Sequence, residues 1–188
     1  MPEVEYSTIV RLPRAAIWDF VKDMSNWAPM LTGYQGHEIL DETDSIWTLK
    51  GDVGVLSRTV QLKAHVTEWN GPDKVSFTLK GLNEIVEGGG TLLMTDEAGG
   101  AAIAPPKIGL LARIMRFFFR LMHGKGPERQ LSNGSGPASR LSFTLRMDAG
   151  GPMGPMVNAM LGPALLPAAE DLANKIAAHL EKTHAQAA

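Results

Sequence analysis

The chain contains no cysteine among its 188 residues. Disulfides, thiolate metal sites and cysteine nucleophiles are therefore excluded. It also lacks an uninterrupted apolar run of the ~20 residues that a membrane span needs, and its first residues include glutamates instead of the apolar core of a signal peptide. We therefore expect a cytoplasmic protein, and we keep open a peripheral position at the inner face of the membrane.

Recognisable catalytic and metal-binding motifs are missing as well. The sequence has no glycine-rich phosphate loop, no HExxH pair and no Ser-His-Asp pattern with supporting context. The five histidines are dispersed and give no i, i+4 metal pair on a helix. The sequence therefore assigns no catalytic residue, no metal and no cofactor.

Charge is unevenly distributed along the chain. Hydrophobic residues make up 44% of the sequence, which predicts one domain with a true core over residues 1–188. The net charge of −2 gives no indication of a nucleic-acid partner. Residues 98–136 hold six basic residues and one acidic residue, whereas the rest of the chain holds twelve basic and nineteen acidic residues. This basic segment in an otherwise acidic chain is the main anomaly of the sequence. It lies where a short hairpin between the last two predicted strands would suffice, so we interpret 98–136 as an insertion.

Alternating apolar and polar residues predict strands along most of the chain, each with one covered face, as in an antiparallel sheet. The predicted strands are 4–12, 34–40, 45–50, 55–69, 74–79, 85–95 and 140–147, with two short helices between the first and second strands. Glu68, Glu87 and Arg58 are the charged residues that approach the inward positions. Gly88, Gly89 and Gly90 interrupt a strand pattern, which predicts a bulge or a tight bend.

A long helix is predicted from Gly151 to about Lys182, because apolar residues recur three or four apart. Asp171, Asn174 and Lys175 fall largely on the opposite side. Pro163 and Pro167 interrupt the pattern and predict a kink or a restart. The many methionines and alanines suit an adaptable cavity wall, although ordinary core packing is the more frequent role of any single methionine.

Several short motifs resemble a known family. They are LPRAAIWDFVKD at 12–23, Trp27 with Gly33, Gly51 with Gly54, and Gly150-Gly151. Together with the order of the predicted elements, they resemble the START and polyketide-cyclase (SRPBCC) superfamily, and within it the carbon monoxide dehydrogenase G-like family. The resemblance implies an α+β helix-grip fold, in which a curved antiparallel sheet wraps around a long C-terminal helix and two short helices follow the first strand.

Two functions are compatible with this resemblance. The first is non-enzymatic binding of an apolar molecule, such as a lipid or a quinone, together with assistance to a molybdenum-containing dehydrogenase or its attachment to the membrane. The second is a reaction of the polyketide cyclase or dehydratase type on an apolar substrate in the same cavity. We favour binding, because the inward positions are almost purely apolar. The residues expected to line the cavity are Trp47, Leu49, Leu62, Val75, Phe77, Leu79, Leu92, Phe143, Leu145, Met156 and Met160.

The insertion contains a predicted amphipathic helix at 105–123, which begins at two prolines and ends before Gly124. Its polar stripe consists of three arginines and its apolar remainder includes three consecutive phenylalanines. Such a helix is expected to enter a membrane interface, dock on a partner protein, mediate a homodimer or cover its own cavity as a lid. The predicted contact residues are Arg113, Arg116, Phe117, Phe118, Phe119 and Arg120.

Overall fold

The structure is a computed structural model that describes residues 2–53, 56–97 and 137–187. The described elements are β1 (Glu3–Val10), α1 (Arg14–Val21), α2 (Met24–Trp27), a 3-10 turn (Ala28–Met30), β2 (Tyr34–Ile39), β3 (Asp44–Val53), β4 (Leu56–Asn70), β5 (Lys74–Gly81), β6 (Val86–Glu97), β7 (Ala138–Ala149) and α3 (Gly154–Ala187). The predicted order of strands and helices is confirmed, with boundaries that move by a few residues.

The described strands form one seven-stranded antiparallel sheet in the order β1-β7-β6-β5-β4-β3-β2. The first and last strands of the chain are neighbours, so β1 brings the two short helices close to the C-terminal part of the chain. The sheet is curved and α3 lies on its concave face, which confirms the predicted helix-grip fold.

Two apolar clusters join α3 to the sheet. In the first half of α3, Leu165 and Ala169 pack against Val4 of β1. Near its C-terminal end, a second cluster also includes residues of β6, β7 and α1, and its buried members are Val10, Ile17, Met94, Leu141, Ile176, Ala177 and Leu180. The apolar stripe of the helix is therefore buried as its three- to four-residue spacing requires.

α3 is continuous through Pro163 and Pro167, so the predicted restart is wrong. Each proline removes one backbone donor from the helix. Leu165 and Ala169, on the turns that flank Pro167, are buried against β1, and this packing holds the helical turns in place.

The polar residues of α3 were expected on its solvent side, and this expectation is wrong for the middle of the helix. Asp171 accepts a hydrogen bond from Thr32 over 2.9 Å. Asn174 accepts one from the Tyr6 hydroxyl over 3.4 Å, and Lys175 donates to a backbone carbonyl of the 3-10 turn over 3.3 Å. Because β1 and the segment around the 3-10 turn lie beside the helix, the flanks of the helix also contact protein.

The segment Gly88–Gly90 keeps an uninterrupted register with β5 and β7, so the predicted bulge is wrong. The irregularities lie between Val66 and Glu68 in β4 and between Tyr34 and Gly36 in β2. At each of the three glycines, an added Cβ would lie 2.4–2.6 Å from a carbonyl oxygen of a neighbouring strand. Glycine is needed there because the strands approach too closely for a side chain.

The predicted insertion lies between the end of β6 and the start of β7, and residues 98–136 fall outside the described part of the chain. The predicted helix at 105–123 and its contact residues therefore fall outside it too. The last pair of the β6–β7 ladder joins Glu97 to Ala138, and Arg140 donates to Glu97 over 2.8 Å. Among the described helices, none combines the length and the apolar character that crossing a membrane requires.

Candidate functional site

The ladder places the predicted lining residues of the strands on one face of the sheet. Gly90 of β6 pairs with Phe77 of β5 on one side and with Leu145 of β7 on the other. Leu92 pairs in the same way with Val75 and Phe143. The same alternation continues across the other strands and includes Leu79, Leu62, Trp47 and Leu49. We call this apolar set the concave face, because it shares its side of the sheet with Val4, which packs on α3.

The described residues of α3 cover only part of the concave face. α3 packs mainly on β1 and β7, at one side of the sheet. On the more central strands, Val75, Phe77, Leu79 and Leu92 are partly exposed although they lie in the middle of the sheet. The arrangement leaves accessible apolar surface on the side of the sheet that faces the helix.

The other predicted lining residues lie in different surroundings. Trp47 and Leu62 are buried, and Trp47 belongs to a core cluster with Ala28 and Ala64. Met160 is partly exposed in the second turn of α3, whereas Met156 is 48% exposed in the first turn. Ligand contact by these residues stays a prediction.

A cluster of aromatic and polar side chains lies at the β2–β3 side of the concave face. His37 pairs with Trp47 across the ladder, and the two rings stack with centroids 5.0 Å apart. The Tyr34 hydroxyl and His37 Nδ1 are hydrogen bonded over 2.8 Å. Trp47 also stacks on Trp27 at 5.5 Å and donates through Nε1 to Ser45 Oγ over 2.9 Å. Packing and hydrogen bonds therefore fix the orientation of these rings.

Of the charged residues that approached inward positions in the sequence, Glu68 and Glu87 lie on the outer face, whereas Arg58 lies near the start of β4 on the side of the concave face. The irregularity in β4 aligns Glu68 with Ser76 on the outer face, where Lys74 Nζ lies 2.7 Å from its carboxylate. The hydrogen bond from Lys74 lowers the pKa of Glu68. Arg58 is exposed and forms an ion pair with Glu84 over 2.8 Å, and Glu87 is exposed.

Other shifted pKa values belong to groups in a turn, at the start of α1 or near the ends of strands. Hydrogen bonds from the backbone N–H of Thr43 and then of Asp44 lower the pKa of Asp41 in the β2–β3 turn. The hydrogen bond to Asp96 raises the pKa of Arg14. The pair of Glu97 and Arg140 lowers the pKa of the acid and raises that of the base. These shifts arise from ion pairs and turns, and a catalytic group is not needed to explain them.

Polar groups within the described residues are well satisfied. No buried side-chain nitrogen or oxygen there lacks a hydrogen-bond partner. The same residues bring together no cluster of three or more side chains that could hold a metal ion. The chemistry that the described face offers is apolar contact with a few fixed hydrogen-bonding groups.

Sequence reasoning missed these hydrogen-bonding groups. Tyr6 alternates in phase with Val4, so its inward position could have been found from the pattern of β1. The position of His37 could not, because it depends on pairing with Trp47 and on the irregularity at Gly36. Alternation within one strand does not give the register between two strands.

Solved structures with the same architecture were found, all at low sequence identity. A conserved protein from Geobacillus kaustophilus is 14% identical with a TM-score of 0.66, and the match covers 97% of both chains. A START superfamily protein from Mycobacterium smegmatis is 13% identical with a TM-score of 0.54, covering 94% of this chain and 97% of the other. The Zhui aromatase/cyclase from Streptomyces sp. R1128 is 14% identical with a TM-score of 0.55, covering 96% and 93%.

These neighbours share the helix-grip fold that the geometry above defines. A protein-family model matches residues 1–125, which is more than half of the chain. The chain belongs to the family that this model describes. No curated protein matches the sequence.

Proposed function

We propose that the protein binds an apolar small molecule between the concave face and α3, without transforming it. The observation that carries this proposal is the partial exposure of Val75 and Phe77 at the centre of the sheet, on the side that faces the helix. Apolar side chains in that position are normally buried when a helix packs closely on a sheet. Accessible apolar surface inside a concave face is the usual setting of a small-molecule site.

The comparisons support the proposal at the level of architecture. A START superfamily protein and an aromatase/cyclase share the fold. The resemblance of motifs to the carbon monoxide dehydrogenase G-like family supports a finer proposal: the ligand is a lipid, a quinone or a similar molecule, and it is exchanged with a membrane or with a molybdenum-containing dehydrogenase. The basic sequence at 105–123 would provide that contact, and this part of the proposal rests on the sequence.

Binding is favoured over a cyclase-like reaction by the location of the charged groups. An enzyme would be expected to gather ionisable groups with perturbed pKa values among the apolar lining. The pKa shifts of Asp41, Glu68, Glu97 and Arg140 arise in a turn, near strand ends or on the outer face, and that of Arg14 arises in the first turn of α1. Their arrangement supports a ligand-binding site more than a catalytic site.

The direct test is native mass spectrometry of the purified protein, followed by solvent extraction and identification of the released molecules. We expect a co-purified apolar molecule of defined mass. The proposal would be contradicted if the purified protein carried no such molecule and also bound none after incubation with a lipid and quinone extract.

A variant that fills the space provides a sharper test. Val75 lies on the concave face and belongs to none of the described core clusters. Val75→Trp should therefore displace the ligand while leaving the free energy of unfolding of the empty protein unchanged. If the face were closely packed, the larger ring would instead destabilise the protein by about 1–3 kcal/mol. Thr78→Trp, on the exposed outer side of the same strand, is the matched control and should leave ligand binding intact.

A further inference from the structure

His37 is held in a fixed orientation on the concave side of the sheet. Its pairing with Trp47 across β2 and β3 puts both side chains on the same face. The imidazole stacks on the Trp47 ring with an interplanar angle of 20°. Trp47 in turn is 8% exposed and lies in a core cluster with Ala28 and Ala64. The ring of His37 therefore rests on a rigid support.

One nitrogen of His37 is occupied and the other is available. Nδ1 is hydrogen bonded to the Tyr34 hydroxyl over 2.8 Å. The indole N–H of Trp47 already donates to Ser45 Oγ, so it does not compete for the imidazole. Within the part of the chain that the structure describes, no hydrogen bond reaches Nε2. His37 and Tyr34 are both partly exposed, so a small molecule can approach Nε2.

Because the Tyr34 hydroxyl can either donate to or accept from Nδ1, Nε2 can form a hydrogen bond with a carbonyl or with a hydroxyl oxygen. When Tyr34 donates to Nδ1, Nε2 carries the proton and donates to a carbonyl oxygen. When Nδ1 donates to the Tyr34 oxygen, Nε2 accepts a hydrogen bond from a hydroxyl group. Which tautomer is present is set by the hydrogen bond that the other nitrogen makes.

Other polar side chains near the helix are engaged in holding the fold together. Asn174 accepts from Tyr6, and Asp171 is shared by Thr32 and Lys175. A ligand that used these groups would have to break contacts between α3 and the body of the protein. A ligand that used His37 Nε2 would break no described hydrogen bond.

We propose that His37, oriented by Tyr34, is the polar anchor of the site and binds a carbonyl or hydroxyl oxygen of an otherwise apolar ligand. This inference rests on the proposed function and assigns the ligand a chemical class: a phenol, ketone, quinone or alcohol rather than a pure hydrocarbon. His37 is a positioning residue for the ligand, and Tyr34 acts through it.

The test uses two probes of equal shape, 2-naphthol and 2-methylnaphthalene, whose binding to the full chain is measured by titration calorimetry. His37→Phe keeps the stacked ring and removes the nitrogen. It should weaken binding of 2-naphthol about fivefold, the value of one typical hydrogen bond, and leave binding of 2-methylnaphthalene unchanged. His37→Gln, whose amide reaches a similar position, should recover part of the loss, and Tyr34→Phe should show a smaller loss of the same kind.

His65→Phe is the matched control, because His65 lies exposed on the outer face, and it should alter neither affinity. Equal effects of His37→Phe on both probes, or no effect on either, would overturn the anchor and leave the binding function standing. Failure of the wild-type protein to bind either probe would overturn the anchor together with the proposed function. Thermal unfolding of each variant shows whether a loss comes from misfolding.

Discussion

Thr32 donates a hydrogen bond to Asp171 Oδ2 over 2.9 Å and so joins the segment before β2 to the middle of α3. The same carboxylate oxygen lies 2.6 Å from Lys175 Nζ, and Lys175 also donates to the carbonyl of Met30 over 3.3 Å. These three contacts fix α3 beside the 3-10 turn and the residues that follow it. The position of α3 relative to the concave face therefore depends on polar groups as well as on apolar packing.

Asp171→Ala should lower the free energy of unfolding by about 1–3 kcal/mol, because it leaves Thr32 and Lys175 without their shared acceptor. The carboxylate side chain is only 13% exposed, so water replaces it poorly. Chemical denaturation measures the effect. Asp19→Ala is the control, since Asp19 forms an exposed pair with Lys22 and should change stability by less than about 0.5 kcal/mol. Equal losses in the two variants would show that Asp171 has no special role.

Gly88→Ala should destabilise the protein by about 1–3 kcal/mol. An added Cβ would lie 2.4 Å from the carbonyl oxygen of Arg146, and a backbone atom within a paired strand cannot move aside freely. Gly36→Ala serves for comparison, because nothing lies within 4 Å of its added Cβ, and its unfolding midpoint should stay close to that of the wild type. A Gly88→Ala protein of wild-type stability would refute the close approach of the strands.

The ion pair of Glu97 and Arg140 predicts an acid-dependent contribution to stability. The hydrogen bond from Arg140 lowers the pKa of Glu97 from its ordinary value of 4.5. A carboxylate with a lowered folded-state pKa stabilises the protein above its unfolded value and loses that effect as the pH falls through its folded value. Glu97→Gln should therefore destabilise the protein at neutral pH, and the difference from the wild type should shrink as the pH falls below 4.5.

Denaturation curves recorded across the acid range test this dependence. Glu87→Gln is the matched substitution, because Glu87 lies exposed on the same strand, and its difference from the wild type should stay small at every pH. A difference for Glu97→Gln that is constant with pH would show that the glutamate acts through packing alone.

Removal of residues 105–123 should abolish sedimentation of the protein with anionic liposomes. The predicted helix carries three arginines, and each charge near an anionic surface contributes roughly 1 kcal/mol. Replacing Arg113, Arg116 and Arg120 with glutamine should therefore weaken membrane binding by about two orders of magnitude. The deletion should leave the sheet folded, since β6 and β7 are held by their own ladder and by Arg140.

Two comparisons define the outcome. Liposomes of neutral lipid should retain little wild-type protein, because the arginines then meet no negative surface. Sedimentation of the shortened protein equal to that of the wild type would reject the membrane contact and leave the partner, dimer and lid hypotheses for this segment.

The fold was largely predictable, because one-sided strands and a helix with one apolar stripe can be recognised from residue spacing. Val60, Leu62 and Ala64 alternate in sequence and lie on one face in the structure. The continuity of α3 was not predictable, since Pro163 and Pro167 normally interrupt helices. What holds the helix across Pro167 is packing of Leu165 and Ala169 against β1, which lies far away in sequence.

That the apolar residues of the strands share one face was predictable for the same reason, whereas the polar contacts beside them were not. His37 and Trp47 meet only because β2 and β3 pair in one register, with an irregularity beside Gly36. Asp171 meets Thr32 because the segment between the 3-10 turn and β2 lies beside the middle of α3. Contacts of this kind arise from tertiary geometry, and local periodicity does not carry information about them.

Phe77 crosses over the bare backbone of Gly90, where its Cζ lies 2.7 Å from the position of an added Cβ. A smaller residue at 77 would uncover a strip of main chain between β5 and β7 and so lengthen the compartment in that direction. In the proposed site, such a change would admit a longer ligand.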